Sequence, residues 1–318
     1  MTDLEPTEQD AASLVQRRLG KDPVTVTRFT TGFANYVFEV RDSAHSAIVV
    51  RLNRVGRGEN FAGAAYWHRW LTPCDVPLPR LLCYDASPAD GSFPFMITTR
   101  VPGRDLDAVY PDLEVHQRRA LATDLAEIQA RVGQLPLGAG FGYARSYTDP
   151  SLHPTWVAFL RAELAWSRDN IERAGLVDVV WADRVVERLA AYQSYFACVE
   201  PRCFLDDIAL KNVLVNDGRL SGIVDVDWVC FGDALLPLAL TQARLLQRGW
   251  DADYVAYWVA ALDLDEETMR VLTFYTAMWV INSLGLIGRQ FGNRVRIPAD
   301  REQVAALVGL LDSLLLRF

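Results

Sequence analysis

Lysine is almost absent from this chain of 318 residues. It occurs only at 21 and 211, so nearly all of the 32 Lys and Arg side chains are guanidinium groups. A cation needed at any site is therefore almost always arginine, whose planar fork suits carboxylate and phosphate. A basic surplus is missing too. The formal charge is −8 and the pI about 5.1, which argues against a nucleic-acid partner and permits a cationic small substrate. The five cysteines, at 74, 83, 198, 203 and 230, are odd in number and none has Cys-x2-Cys spacing. They read as reduced, half-buried thiols rather than zinc ligands. Long unbroken apolar runs are also lacking. The most apolar stretch, Val271 to Gly288, carries Thr273, Thr276, Asn282 and Ser283, so it reads as a buried helix and not as a membrane span. Residues Met1 to Glu8 are acidic and polar, unlike a signal or transit peptide, and a cytoplasmic location is expected. No internal repeat or low-complexity segment appears.

The chain is 51% hydrophobic, enough to bury the core of one large or two medium domains. Residues 8–20 read as an amphipathic helix stopped by Gly20, and 24–28 as a strand. Thr30 to Ala34 is a turn before an alternating strand, Tyr36 to Val40, and Ala47 to Leu52 is a buried strand with Arg51 near its end. A helix follows over 61–71, then a strand ending at Tyr84 and another over 94–103 that leaves the first part of the chain. Beyond 104 the pattern turns helical: 113–132, 155–174, 177–199 and most of 252–318, with 136–154 read as a surface loop. Trp156, Trp166 and Trp181 are expected in the core. The acidic cluster 263–267 reads best as a helix start, where carboxylates complement the helix dipole.

The chemistry concentrates between Phe204 and Asp233. Asp207 and Asn212 lie in a loop entering the apolar run Val213 to Val215, and Asp225 ends a second run, Gly222 to Val224. Asn216-Asp217-Gly218 between them is a hairpin-turn signal, so the hairpin brings Asp207, Asn212 and Asp225 to one end of a small sheet. Isolated Asp and Asn ordinarily serve turns and caps. This spaced set is what phosphoryl transfer requires: a carboxylate to take the proton of an attacking hydroxyl, and an amide and a carboxylate to hold Mg²⁺ on the phosphates.

The Asp-x4-Asn spacing, the strand-ending Asp225 and the following Gly232-Asp233 resemble the aminoglycoside phosphotransferase and choline kinase family. The resemblance implies a two-lobed, protein-kinase-like α+β fold: a small antiparallel β N-lobe over residues 1–101 and a mainly helical C-lobe over 102–318. It further implies Asp207 as the catalytic base and Asn212 and Asp225 as Mg²⁺ ligands. Asp227, two residues beyond Asp225, would project on the same side of an extended segment and so assist a second Mg²⁺ site. Gly32, Ala34 and Asn35 fall in the implied nucleotide-positioning loop. Arg51 stands where kinases place the cation that contacts the α/β-phosphates. The Thr99 carbonyl and Val101 amide are the implied purine contacts at the interlobe hinge. Lys211 either reaches the γ-phosphate or faces solvent. ATP and GTP are equally compatible as donors, and the acceptor is a small-molecule hydroxyl on an antibiotic or a primary metabolite such as an amino alcohol or sugar. A monomer or homodimer is expected, with no nucleic-acid or membrane partner.

Three departures from the family pattern stand out. Ala64 occupies the place of a helix Glu that would pair with Arg51, with Glu59, upstream of the helix, as a candidate substitute. Leu205 replaces a His that braces the catalytic loop, beside an extra carboxylate, Asp206. Pro237 replaces a second, structural Asp. A nucleotide-binding protein without catalysis is the competing expectation.

Overall fold

Helix α1 (Glu8–Leu19) begins at a reciprocal cap, in which Thr7 Oγ1 accepts from the Asp10 amide at 3.2 Å and Asp10 accepts from the Thr7 amide at 2.8 Å. It stops at Gly20, whose φ of 62° few other residues adopt cheaply. The computed structural model describes residues 4–29, 35–44, 46–290 and 297–317. Strands β1 (Pro23–Phe29), β2 (Tyr36–Asp42) and β3 (Ala47–Leu52) follow. Helix α2 (Glu59–Leu71) intervenes before β4 (Leu81–Asp85) and β5 (Phe95–Thr99). The five strands form one antiparallel sheet in the order β1-β2-β3-β5-β4. Alternation along β2 and β3 turns Phe38, Val40, Ile48 and Val50 onto Leu14 and Val15 of α1, which makes a separate small core.

The larger part begins with a two-residue strand β6 (Arg104–Asp105), a short α3 (Leu106–Val109), α4 (Val115–Val132), β7 (Gly142–Ala144) and α5 (Trp156–Ala174). It continues through α6 (Val180–Arg188), α7 (Gln193–Ala197) and strands β8 (Arg202–Phe204), β9 (Val213–Asn216), β10 (Arg219–Ile223) and β11 (Val229–Gly232). Helices α8 (Leu235–Gln247), α9 (Asp253–Leu262), α10 (Glu266–Leu286) and α11 (Arg301–Leu315) complete it. The fold is thus α+β and two-lobed, as expected. Two small sheets, β10-β9-β6 and β7-β11-β8, carry the loops of interest on the helical lobe. Helix α10 is buried along most of its length, and among the described residues no helix is long and apolar enough to cross a membrane.

Helix α2 serves both lobes. Phe61, Ala64 and Ala65 pack on Met96 beneath the upper sheet, whereas Trp67 and Leu71 enter the large core, with Trp67 Nε1 donating to the Ala144 carbonyl at 2.7 Å. The hydrophobic cores therefore divide within α2 as well as near residue 101.

Several local expectations change. The stretch 136–154 contains β7, which pairs with β11 and is partly buried, so it is more than a surface loop. The single helix expected over 177–199 is broken at Leu189–Tyr192, where a 3₁₀ turn brings Tyr192 against Phe274 at 5.6 Å between rings. Glu59 is the first residue of α2 rather than upstream of it, and it faces Arg145 at 3.4 Å instead of Arg51. Trp156 is fully buried, while Trp166 and Trp181 are only partly so. At the acidic cluster, Asp265 caps α10 by accepting from the Thr268 amide at 2.8 Å, which is the helix-start role expected.

Candidate active site

The hairpin that organises the site forms as the turn residues dictate. Asp217 and Gly218 have φ of 50° and 74°, and Asn216 pairs directly with Arg219 across the turn. Strand β10 ends at Ile223, two residues before Asp225, yet the ladder extends through the Val224 amide, which donates to the Asn212 carbonyl at 2.9 Å. Asp225 itself has a φ of 62°, an uncommon conformation for an L-residue that turns the chain sharply. The segment 225–227 is therefore not extended, as simple alternation implied. The turn nonetheless brings both of its carboxylates to Arg51.

Asp207, Asn212 and Asp225 converge at this end of the hairpin. Asn212 Nδ2 donates to the Asp207 carbonyl at 2.9 Å, which occupies the amide nitrogen and leaves the Asn212 oxygen as the atom for a ligand. Asp206, Asp207, Asp225, Val226 and Trp228 line one small cleft. Asp207 is exposed at the mouth of the cleft. Desolvation there, followed by the nearby charge of Asp225, lifts its carboxyl to about 6, against the pull of Arg244, Asn212 and Lys211. Asp206 is lifted to about 7 by burial and then by Asp207, and its hydrogen bond from Trp228 Nε1 at 3.2 Å opposes the rise. The two neighbouring carboxylates thus sit in different surroundings, and Asp207 is the more readily ionised.

Arg51 reaches across from β3. Its Nη1 lies 2.7 Å from Asp227 Oδ1, and its Nη2 lies 2.8 Å from Asp227 Oδ2 and 2.6 Å from Asp225 Oδ1. Phe61 lies against the guanidinium, 5.5 Å from ring centre to Cζ. Burial disfavours the cation, but Asp227 and then Asp225 outweigh it, so Arg51 is held charged. Asn35 is buried, accepts from Asn53 Nδ2 at 3.0 Å and lies near enough to Asp227 to favour its ionised form. It therefore backs the Arg51 site from the N-lobe side. Lys211 is exposed and close enough to act on the charge of Asp207. Gly32 and Ala34 lie outside the described residues.

The hinge is pinned rather than loose. Thr99 ends β5 and accepts at Oγ1 from the Arg80 amide at 2.9 Å. The Val101 carbonyl is taken by the guanidinium of Arg100, which also reaches Glu39 at 3.1 Å and the Gly103 carbonyl at 3.3 Å. Ser221 Oγ donates to the Pro102 carbonyl at 2.6 Å and ties the hinge to β10.

Four supporting residues escaped sequence reasoning. Gln129 of α4 grips Leu205, accepting from its amide at 3.0 Å and donating to its carbonyl at 2.7 Å, which is the brace the missing His left open. Its signal was a polar residue on the apolar face marked by Leu121, Leu125 and Val132. Tyr195 and Tyr275 donate to Asp233 at 3.1 and 2.9 Å, and the Leu235 amide caps its other oxygen at 3.0 Å, so Asp233 is held without a second Asp. Pro237 sits in the first turn of α8, where a missing amide costs little. Arg244, partly buried on α8, bears electrostatically on Asp207, and nothing in the local sequence marked it.

The donor set around Asn212 and Asp225 is oxygen only, which suits a hard cation completed by phosphate and water oxygens. Among the described residues no group of three or more His, Cys, Asp or Glu is placed to hold a metal ion.

The fold has known counterparts. A solved apo structure of a thermostable mutant of the aminoglycoside phosphotransferase APH(4)-Ia superposes with a TM-score of 0.71 at 18% identity, covering 96% of this chain and 98% of that one. The GDP complex of a mutant aminoglycoside 2′-phosphotransferase-IIIa gives 0.68 at 18% identity, covering 97% of each chain. The streptomycin–ATP complex of APH(2″)-IIa gives 0.66 at 14% identity over 98% and 97%. No curated protein matches the sequence. The sequence profile of the phosphotransferase enzyme family matches residues 25–274, a span that contains Arg51, the hinge and the whole 204–233 segment. The chain accordingly belongs to the phosphotransferase enzyme family and is an enzyme of that kind.

Proposed function

We propose that the enzyme transfers the γ-phosphate of ATP or GTP to a hydroxyl of a small molecule, with an aminoglycoside-like antibiotic as the leading acceptor class. The grouping of Asp207, Asn212 and Asp225 at one end of the hairpin, with Arg51 reaching Asp225 from β3, carries this reading. Solved relatives named as complexes with AMP-PNP and hygromycin B, or with streptomycin and ATP, support the pairing of nucleotide and antibiotic.

In this reading Asp207 orients the acceptor hydroxyl and takes its proton while the acceptor oxygen bonds to the γ-phosphorus and the bond to the β-phosphate oxygen breaks. A base lifted to about 6 is ionised at neutral pH and still basic enough to help. Arg51, held charged by its carboxylate partners, steadies the nucleotide phosphates. Asn35 supports that site, and Gly32 and Ala34 belong to the loop over the phosphates. The Thr99 carbonyl and Val101 amide meet the purine edge. Lys211, exposed beside Asp207, offsets charge at the γ-phosphate. Asn212 and Asp225 hold Mg²⁺, which when bound neutralises phosphate charge. The cytoplasm, where both nucleotides are abundant, is the expected setting.

The departures that motivated a non-catalytic reading are each compensated. Gln129 braces Leu205, Tyr195 and Tyr275 hold Asp233, and Asp227 engages Arg51 where Ala64 does not. The test is calorimetric binding of ATP and of GTP, with and without Mg²⁺, to the wild type and to Asp225→Ala. Mg²⁺-dependent binding of one nucleotide, weakened by the substitution, is expected and selects the donor for an acceptor screen. Binding of neither nucleotide would overturn the reading.

A further inference from the structure

Resting on that reading of Arg51, we propose that Asp227 is the positioning residue for Arg51 and not a metal ligand. The family resemblance places the partner of this cation on α2, at position 64, where this chain has alanine. In the structure the partner comes from the opposite lobe instead.

Two carboxylates meet the same guanidinium, but their circumstances differ. Asp227 engages both terminal nitrogens, at 2.7 and 2.8 Å, and its side chain is only 6% exposed. Asp225 touches a single nitrogen, at 2.6 Å, and is 51% exposed. A two-toothed, nearly buried pair is costly to break, because parting it leaves a charge without water or partner. A one-toothed, half-exposed contact is cheap to exchange. When a nucleotide and its cation arrive, Asp225 is therefore the carboxylate that turns to them, and Asp227 keeps Arg51 aimed.

The surrounding groups reinforce this division. Asn35, itself fixed by Asn53, lies beside Asp227 and favours its ionised form. Helix α2 meets Asp227 through Gly63, where a Cβ would lie 2.4 Å from the Asp227 carbonyl oxygen. The helix thus approaches the loop by backbone contact, with no side chain between. This bond joins residues 176 positions apart and ties β3 to the loop after β10, so it fixes the placement of one lobe on the other as well as the cation.

The experiment measures AMP-PNP affinity in EDTA and over a Mg²⁺ titration, for the wild type, Asp227→Asn, Arg51→Ala and the double variant. If Asp227 positions Arg51, Asp227→Asn weakens binding in EDTA by roughly 10- to 100-fold, the worth of a charge-assisted contact. The Mg²⁺ concentration for half-saturation stays the same, and in the Arg51→Ala background the substitution has no further effect. An unchanged affinity in EDTA with a raised Mg²⁺ requirement would show a metal ligand and overturn the proposal, as would an equal loss without Arg51. Should Asp227→Asn not fold, a crystal structure of the wild type with Mn²⁺ and AMP-PNP decides instead. The anomalous peak is expected at Asn212 and Asp225 with Asp227 still on Arg51, and a peak coordinated by Asp227 would refute it. A wild type that binds no nucleotide removes the functional reading itself, and this inference with it; the proposal alone fails when the wild type binds normally.

Discussion

The side-chain amide of Gln129 closes on the peptide of Leu205 from both sides, donating to its carbonyl and accepting from its amide. Both partners are buried, so the pair sets the height of the catalytic loop two residues before Asp207. Replacing Gln129 by Leu strands two backbone groups in the core, and each stranded group costs about 1–3 kcal/mol. Urea unfolding of Gln129→Leu should show a stability loss in the range of about 2–5 kcal/mol. The rate of phosphoryl transfer should fall more than the affinity for nucleotide. An unaltered midpoint and rate would mean the loop is braced elsewhere.

On the proposed reading Asp207 is the base, and Asp207→Asn keeps its shape and removes its basicity. We expect kcat to drop by about 10²–10⁴-fold, the usual worth of a positioned general base, with nucleotide affinity little altered. Steady-state kinetics alongside calorimetry would separate the two effects, and a variant of normal kcat would dismiss Asp207 as the base.

Gly63 is the close approach between α2 and Asp227. A Cβ there would lie 2.4 Å from the Asp227 carbonyl oxygen and 2.9 Å from Arg145 Cγ, and the carbonyl is backbone that cannot step aside alone. Gly63→Ala should destabilise the protein by about 1–3 kcal/mol, despite the better helix propensity of alanine. Chemical denaturation tests this directly, and a stabilised variant would show that the two elements part easily.

Glu163, half-buried on α5, is pushed up to about 7 by burial. Its folded-state value exceeds its unfolded value of 4.5, so the folded state keeps a proton that the unfolded chain releases. Stability contributed by this group is intact below about pH 4.5 and is lost as the pH rises through about 7. Glu163→Gln removes the dependence. It should match the wild type near pH 4 and exceed it at pH 8 by up to about 3 kcal/mol. Parallel denaturation curves for the two proteins across that range would contradict the assignment.

Tyr275 links two buried groups, accepting from Trp156 Nε1 at 2.6 Å and donating to Asp233 at 2.9 Å. Tyr275→Phe leaves the indole N–H without a partner and removes one of the bonds that replace the missing second Asp. A loss of about 1–3 kcal/mol is expected by thermal unfolding, with Asp233 still held by Tyr195 and the Leu235 amide.

What the sequence determined by itself is the local framework and which candidate residues it groups. That Asp207, Asn212 and Asp225 come together was legible because their spacing is tied to a hairpin whose turn residues, Asp217 and Gly218, adopt positive φ by intrinsic preference. Arg51 was legible as a lone charge at the end of an apolar strand. Helices such as α1 and α10 were legible from caps and apolar spacing, which are short-range properties of the chain. Only the tertiary structure decided who holds these groups. The partner of Arg51 is Asp227, the brace of Leu205 is Gln129, and the supports of Asp233 are Tyr195 and Tyr275. Each of these contacts joins residues at least 38 positions apart, up to 176 for Arg51 and Asp227. No periodicity or spacing reports such a contact, because it depends on how two lobes and several helices pack, and a buried polar group finds its partner only once the core has closed around it.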